Sequence, residues 1–175
     1  MKIILLTGGD GKRFGSDKSQ ALIAGTTLLS IIKSQLDSSE LIEVGSEVKG
    51  GPVAAINFAI KKVDSELVAI FATDMPFAPR VLPELKAALI NDAALPLDET
   101  GRLQPLAAIY RTNSLRQALT ALVQKENASM QSLVAHLRID EVKVESPELL
   151  IDIDTEADLV RATELQGRLL SWRWL

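Results

Sequence analysis

Two groups of residues in this sequence have types and spacing that could do chemistry. The first follows the apolar run Ile3, Ile4, Leu5 and Leu6: Thr7, the glycine pair Gly8 and Gly9, then Gly11, Arg13, Gly15 and Lys18. Glycines there leave the backbone free to adopt positive φ and to bring its N–H groups close to an anion. Arg13 offers a planar fork of donors and Lys18 a point charge, a pairing suited to a triphosphate and to the charge that develops on a leaving pyrophosphate. The glycine spacing alone fits neither the phosphate loop GxxxxGK[ST] nor the dinucleotide fingerprint GxGxxG, and Lys12, Arg13 and Lys18 are also what an ordinary solvated loop carries. The second group is acidic: Asp74, just past an apolar run over 67–72, and Asp152 with Asp154 at the end of another over 149–153. Carboxylates at the carboxyl ends of buried strands are placed to hold Mg²⁺ against phosphate oxygens. They also suit turns and caps: Asp74 precedes Pro76, and Asp154 or Thr155 could cap a helix beginning near Glu156.

The composition narrows the chemistry further. With no cysteine, disulfides, thiolate metal sites and cysteine nucleophiles are excluded, and one histidine, His136, rules out a multi-histidine metal site. His136 itself is expected on an apolar helix face with a structural role. A formal net charge of -4 over 175 residues gives no general attraction for nucleic acid. No apolar run reaches the ~20 residues of a membrane span, and the amino terminus lacks the pattern of a signal peptide, so a cytoplasmic location and no membrane partner are expected.

The elements that must position these residues follow from periodicity. Strands are expected over 3–6, 41–44, 67–72, 93–97, 106–110 and 149–153, with an edge strand around Val142 and Val144 where charged residues alternate with valines. Helices are expected from Thr26 or Thr27 through Leu36, from Pro52 through Val63, over 81–90 and 114–124, through Met130 to Leu137, and after Thr155. Between them, 45–51 forms a glycine-bearing polar loop. Strands alternating with helices imply a three-layer α/β fold with a mostly parallel sheet, and no linker divides 1–175 into two domains. In such a sheet the loops after Leu6, Val44, Ala72 and Ile153 share one rim. Trp172 and Trp174 are expected to pack on the body.

Five motifs in order resemble the molybdenum cofactor guanylyltransferases and related molybdopterin nucleotidyltransferases over most of the chain. Leu6-Thr7-Gly8-Gly9 with Arg13-Phe14-Gly15-Ser16-Asp17-Lys18 is similar to the family's LAGG-x-x-x-R-M-G-x-D-K signature, with Thr7 and Phe14 replacing alanine and methionine. Gly51-Pro52-Val53-Ala54-Ala55-Ile56 resembles GPLAGI, Thr73-Asp74-Met75-Pro76-Phe77 resembles CDMPF, and Arg102 with 105–110 resembles RxxPLxALY. The run 152–159 is similar, less closely, to DINTPEDL. The resemblance implies a Rossmann-like nucleotidyltransferase fold and an enzyme that passes GMP from GTP to the terminal phosphate of molybdopterin, with Mg²⁺ required. By motif position it implies that Leu6, Thr7, Gly8, Gly9, Gly51 and Pro52 line the nucleotide. Arg13 and Lys18 would meet its phosphates as the catalytic pair, and Asp74 would hold the metal. Asp154 stands where the family has asparagine and would be a second metal ligand. The implied partners are GTP and molybdopterin, with transient contact with molybdenum cofactor enzymes or their chaperones.

One departure concerns the base. Between Leu36 and Gly51 the family has two strands and a base-contacting loop, whereas this chain has room for one strand. It offers no counterpart of the family's asparagine after the second strand, and no aspartate between Ser38 and Asn57. Three outcomes stay open: other loop atoms read guanine, the nucleotide is not GTP (a cytidylyltransferase or sugar-phosphate nucleotidyltransferase), or the chain is a non-catalytic nucleotide-binding relative.

Overall fold

Strand β1 (Lys2–Leu6) runs between two parallel neighbours, β4 (Leu41–Val44) and β5 (Leu67–Ala72), in a computed structural model that describes residues 1–8 and 21–171. Gly9, Arg13, Lys18, Trp172 and Trp174 lie outside the described residues. β1 and β5 read as unbroken aliphatic runs because helices cover both of their faces. In β5, Ala69 and Phe71 face the core shared by α1 (Leu28–Lys33), α3 (Leu82–Ala88) and α6 (Glu156–Ser171). Val68 and Ile70 face the core shared by α2 (Gly51–Ala59), α4 (Thr112–Ala121) and α5 (Met130–Val134). Phe71, Phe77, Ile4, Leu5 and Ile70 are among the largest fully buried side chains, so the centre of the sheet is also the centre of the hydrophobic core.

The six-stranded sheet has the order β4-β1-β5-β7-β6-β8, where β6 is Ala93–Leu97, β7 is Ala107–Arg111 and β8 is Ile139–Lys143. β7 is antiparallel to β5 and β6, and the remaining pairs are parallel. The charge–valine alternation of β8 accords with its place at the edge. Helix α1 is capped by Thr27, whose hydroxyl accepts from the Ser30 N–H at 3.2 Å. Ahead of it, β2 (Leu22–Ile23) and β3 (Thr26–Thr27) form a small hairpin that turns at Ala24 and Gly25, both at positive φ (48° and 79°).

Two expectations need correction. The run 149–153 is not a strand: Pro147–Leu150 form a single 3-10 turn, closed by the Leu149 N–H on the Ser146 carbonyl at 3.1 Å and the Ile151 N–H on the Glu148 carbonyl at 3.2 Å. Leu149, Leu150, Ile151 and Ile153 are buried all the same, so their apolarity serves the core without a ladder, while β8 occupies the sheet edge beside β6. Asp152 and Asp154 therefore do not sit at a strand end. His136 lies beyond the last residue of α5, exposed, in a turn where its N–H meets the Leu133 carbonyl; it is not on an apolar helix face.

The opposite end of the sheet is held by carboxylates. Asp92, just before β6, accepts from Arg138 through Nε at 2.8 Å and a terminal nitrogen at 3.1 Å, and from Ser114 Oγ at 2.8 Å. Asp140 accepts from the Ile90 and Asn91 N–H groups, both at 2.7 Å. Hydrogen bonds from Arg138 hold the Asp92 carboxyl well below the usual carboxylate range. A depressed folded-state value stabilises the fold above the ordinary carboxylate range, and that contribution is lost as pH falls toward the folded value. Asp92→Asn should lower the thermal midpoint at pH 7 by about 2–6 °C, with the gap from wild type closing below about pH 3. Melting curves of the two proteins across pH check this. Among the described residues, no helix is long and apolar enough to cross a membrane.

Candidate functional site

The carboxyl ends of β4, β1 and β5 open onto one cleft of about 450 Å³. Leu6, Thr7, Gly8, Val44, Ala72, Thr73 and Asp74 contribute to its floor and walls. Backbone ladders extend past the strands to hold these three loops together. The Thr7 N–H donates to the Val44 carbonyl at 2.9 Å, and Thr73 donates to the Leu6 carbonyl through its N–H at 3.1 Å and its hydroxyl at 3.0 Å. Gly8 is required by close approach: a Cβ there would lie 2.7 Å from both the carbonyl carbon of Gly45 and the amide nitrogen of Ser46. No side chain fits between the first loop and the loop after β4.

The second wall is the loop over 45–50 and the start of α2. Gly50, at φ 98°, is the N-cap of α2 and supplies no side-chain cap, so the first turn presents its N–H groups beside the cleft lined by Gly50, Gly51, Pro52 and Ala55. The partial positive charge of a helix amino terminus suits a phosphate. Lys49 adds a cation to the lining. Glu47 turns its carboxylate back on its own loop, and hydrogen bonds from its own backbone N–H and from the Gly45 N–H at 2.9 Å hold its carboxyl below the ordinary range. That carboxylate stabilises the loop, and it is not among the residues lining the cleft.

Asp74 lies half-buried in the cleft wall on a turn secured from two sides. Its carbonyl accepts from the Ile153 N–H at 2.9 Å. Behind it, the Gln35 side chain, past the end of α1, donates to the Pro76 carbonyl at 2.7 Å and to the Ile31 carbonyl at 2.8 Å. The chain around Ile153 thus reaches the same rim as Asp74, through a backbone hydrogen bond rather than a parallel strand. Asp154 is half-buried next to this contact and is not among the cleft-lining residues. The cap of α6 is Thr155, whose hydroxyl accepts from the Asp158 N–H at 3.2 Å while Asp158 Oδ2 accepts from the Thr155 N–H at 2.8 Å, a reciprocal capping box.

Of the residues singled out from sequence, Leu6, Thr7, Gly8, Gly51, Pro52 and Asp74 meet in this cleft. Gly9, Arg13 and Lys18 belong to the segment that continues from Gly8 and lie outside the described residues. Ser46, Lys49 and Asn127 were not foreseen as lining residues. Lys49 and Ser46 belong to a loop expected from its glycines, but Asn127 comes from the connection between α4 and α5, where no motif marks it.

Residues 36–142 match the family described as MobA-like NTP transferase domain. A probable molybdenum cofactor guanylyltransferase from Bacillus cereus (strain B4264) is 29% identical over 184 residues, covering 89% of this chain and 86% of that protein. Molybdopterin-guanine dinucleotide biosynthesis protein A from Archaeoglobus fulgidus superposes with a TM-score of 0.76 at 23% identity, over 96% of this chain and 100% of that one. A 2-C-methyl-D-erythritol 4-phosphate cytidylyltransferase from Thermus thermophilus shares the fold at a TM-score of 0.63 and 19% identity, over 94% of this chain and 98% of that one. The match from 36 to 142 takes in the greater part of the chain, including the loops after β4 and β5 that wall the cleft, and the chain belongs to the MobA-like NTP transferase domain family.

Proposed function

We propose that this chain is a molybdenum cofactor guanylyltransferase, a single cytoplasmic nucleotidyltransferase domain that passes GMP from GTP to molybdopterin. A terminal phosphate oxygen of molybdopterin forms a bond to the α-phosphorus of GTP, the bond from that phosphorus to the bridging oxygen of the β-phosphate breaks, and pyrophosphate leaves. The observation that carries the reading is the cleft itself: a glycine held against a neighbouring backbone, a helix amino terminus without a side-chain cap and Asp74 converge on one space large enough for a nucleotide. Transfer of this kind asks mainly for positioning and neutralisation of charge, and those are what backbone N–H groups and cations supply. In sequence Arg13 and Lys18 come soon after Gly8, and they would meet the phosphates as the catalytic cations, with Gly9 among the residues that would line the nucleotide.

Mg²⁺ takes one or two protein carboxylates and completes its shell with water and phosphate oxygens, so Asp74 on the cleft wall would suffice to hold it, and Asp154, one residue past the Ile153 contact, would be the second donor. When bound, Mg²⁺ neutralises charge on the phosphate oxygens. Thr73, bonded to the Leu6 carbonyl, would support the turn that carries Asp74, and Gly51 and Pro52 would line the nucleotide from the start of α2. The names of the curated relatives support GTP and molybdopterin as the substrates, with transient contact with molybdenum cofactor enzymes or their chaperones at delivery.

Titrating labelled GTP with Mg²⁺ tests the reading. The unaltered protein should bind, and Lys18→Ala should weaken binding and slow turnover by about 10²-fold. Absence of GTP binding by the unaltered protein would overturn it. A cytidylyltransferase reading is favoured only by the short 45–50 loop and by the shared fold of the cytidylyltransferase from Thermus thermophilus. Binding of CTP in preference to GTP in the same titration would select it.

A further inference from the structure

The loop after β4 is short, and the connection between α4 and α5 completes the cleft wall beside it. Its Asn127 N–H donates to the Gly50 carbonyl at 2.7 Å, a short hydrogen bond that fixes this connection to the start of α2. The two segments are in close contact: a Cβ on Gly50 would meet the Glu126 Cγ at 3.2 Å and its Cα at 3.3 Å. Asn127 holds φ 57°, a left-handed conformation that asparagine, aspartate and glycine adopt with least strain, and it lines the cleft together with Lys49 and Gly50. Among the described residues, Leu106 is the other lining residue from the second half of the chain, and its side chain is apolar, so Asn127 is the one polar side chain that half contributes. Leu6, Gly8 and Asp74 belong to the strand ends, where ligands bind in this class of sheet, whereas Asn127 is tied to Gly50 on the wall formed by the loop after β4.

We infer that Asn127 is a base-contacting residue whose side-chain amide binds the nucleobase at the wall formed by the loop after β4, an inference that rests on the guanylyltransferase reading. A side-chain amide presents one acceptor and one donor side by side. Against guanine, Oδ1 accepts from N1–H and Nδ2 donates to O6. The backbone bond to Gly50 is made by the main chain, so the amide is left for this task while the connection stays anchored.

Glycine at 127 removes the amide and keeps the left-handed backbone and its N–H, so Asn127→Gly isolates the side chain. Aspartate at 127 leaves two acceptors, which suit the adjacent N1–H and N2–H₂ donors of guanine and repel the N3 acceptor of cytosine. Dissociation constants are measured by calorimetry for GTP, CTP and inorganic tripolyphosphate on the full chain and both variants. Asn127→Gly should weaken GTP about 10- to 100-fold and leave tripolyphosphate within about twofold, since two lost hydrogen bonds to a base are of that order. Asn127→Asp should raise the preference for GTP over CTP. Equal GTP affinity of wild type and Asn127→Gly would overturn the inference and leave the guanylyltransferase reading standing. Equal loss of tripolyphosphate and GTP would also overturn it, by showing that the change acts on the whole cleft. Failure of the wild type to bind GTP at all would overturn the guanylyltransferase reading and this inference with it.

Discussion

Asp74→Asn should leave the protein folded and reduce nucleotidyl transfer by about 10²–10³-fold. The turn that carries Asp74 is held by main-chain atoms and by its neighbours: the Asp74 carbonyl accepts from Ile153, Thr73 is bonded to Leu6, and Gln35 holds Pro76. None of these bonds uses the Asp74 carboxylate, so an amide of the same shape preserves them and removes the charge. The loss should appear in kcat, and the Mg²⁺ concentration needed for half-maximal rate should rise, while the thermal midpoint moves little. Steady-state rates across a Mg²⁺ titration, paired with melting curves, check both parts. A variant with wild-type rate and wild-type Mg²⁺ dependence would remove Asp74 from the site.

Gly8→Ala is the second large effect, and its cause is steric rather than electrostatic. The added methyl group would sit 2.7 Å from the backbone of both Gly45 and Ser46, and backbone cannot swing aside as the end of a side chain can. The loops after β1 and β4 must separate, which strains the Thr7 bond to the Val44 carbonyl. A destabilisation of about 2–3 kcal/mol is expected, together with loss of nucleotide binding, because the displaced loop forms part of the cleft. Urea denaturation and nucleotide titration measure the two consequences separately. Gly51→Ala gives a contrast: nothing lies within 4 Å of the position its Cβ would take, but the residue holds φ 80°, so its cost comes from backbone strain alone.

Much of this arrangement is legible in the sequence wherever a local pattern and a tertiary need coincide. The runs over 41–44, 67–72 and 93–97 are strands with those bounds; over 67–72 and 93–97 apolar residues buried on both faces leave no polar side to blur the signal, while 41–44 lies at the sheet edge with Glu43 exposed. Pro52 marks the start of α2, since a first-turn proline loses no helical hydrogen bond there. The run over 149–153 is equally apolar and is not a strand. Burial and pairing are separate properties, and a short apolar run reports only burial. The β2–β3 hairpin has strands of two residues each, too short for any periodicity to register.

The site divides in the same way. Leu6, Thr7, Gly8, Gly51, Pro52 and Asp74 could be named from sequence by their places in motifs that resemble the family's, and they meet because the strand ends of such a sheet gather at one rim. Asn127 could not. It reaches the cleft through a long-range hydrogen bond to Gly50, and its surroundings in sequence, Lys125-Glu126-Asn127-Ala128, look like any polar connection between helices. The one hint is that asparagine is the side chain most tolerant of the left-handed turn found there after glycine.

Formation of molybdopterin guanine dinucleotide by the purified protein tests the central claim most directly. Molybdopterin and Mg²⁺ are supplied with GTP, CTP, ATP or UTP in parallel, and pyrophosphate and dinucleotide are measured together. GTP should give equal amounts of the two products, with the other nucleotides slower by at least about 10-fold. Turnover with CTP at a rate equal to or above that with GTP, or no dinucleotide from any of the four, would contradict the account.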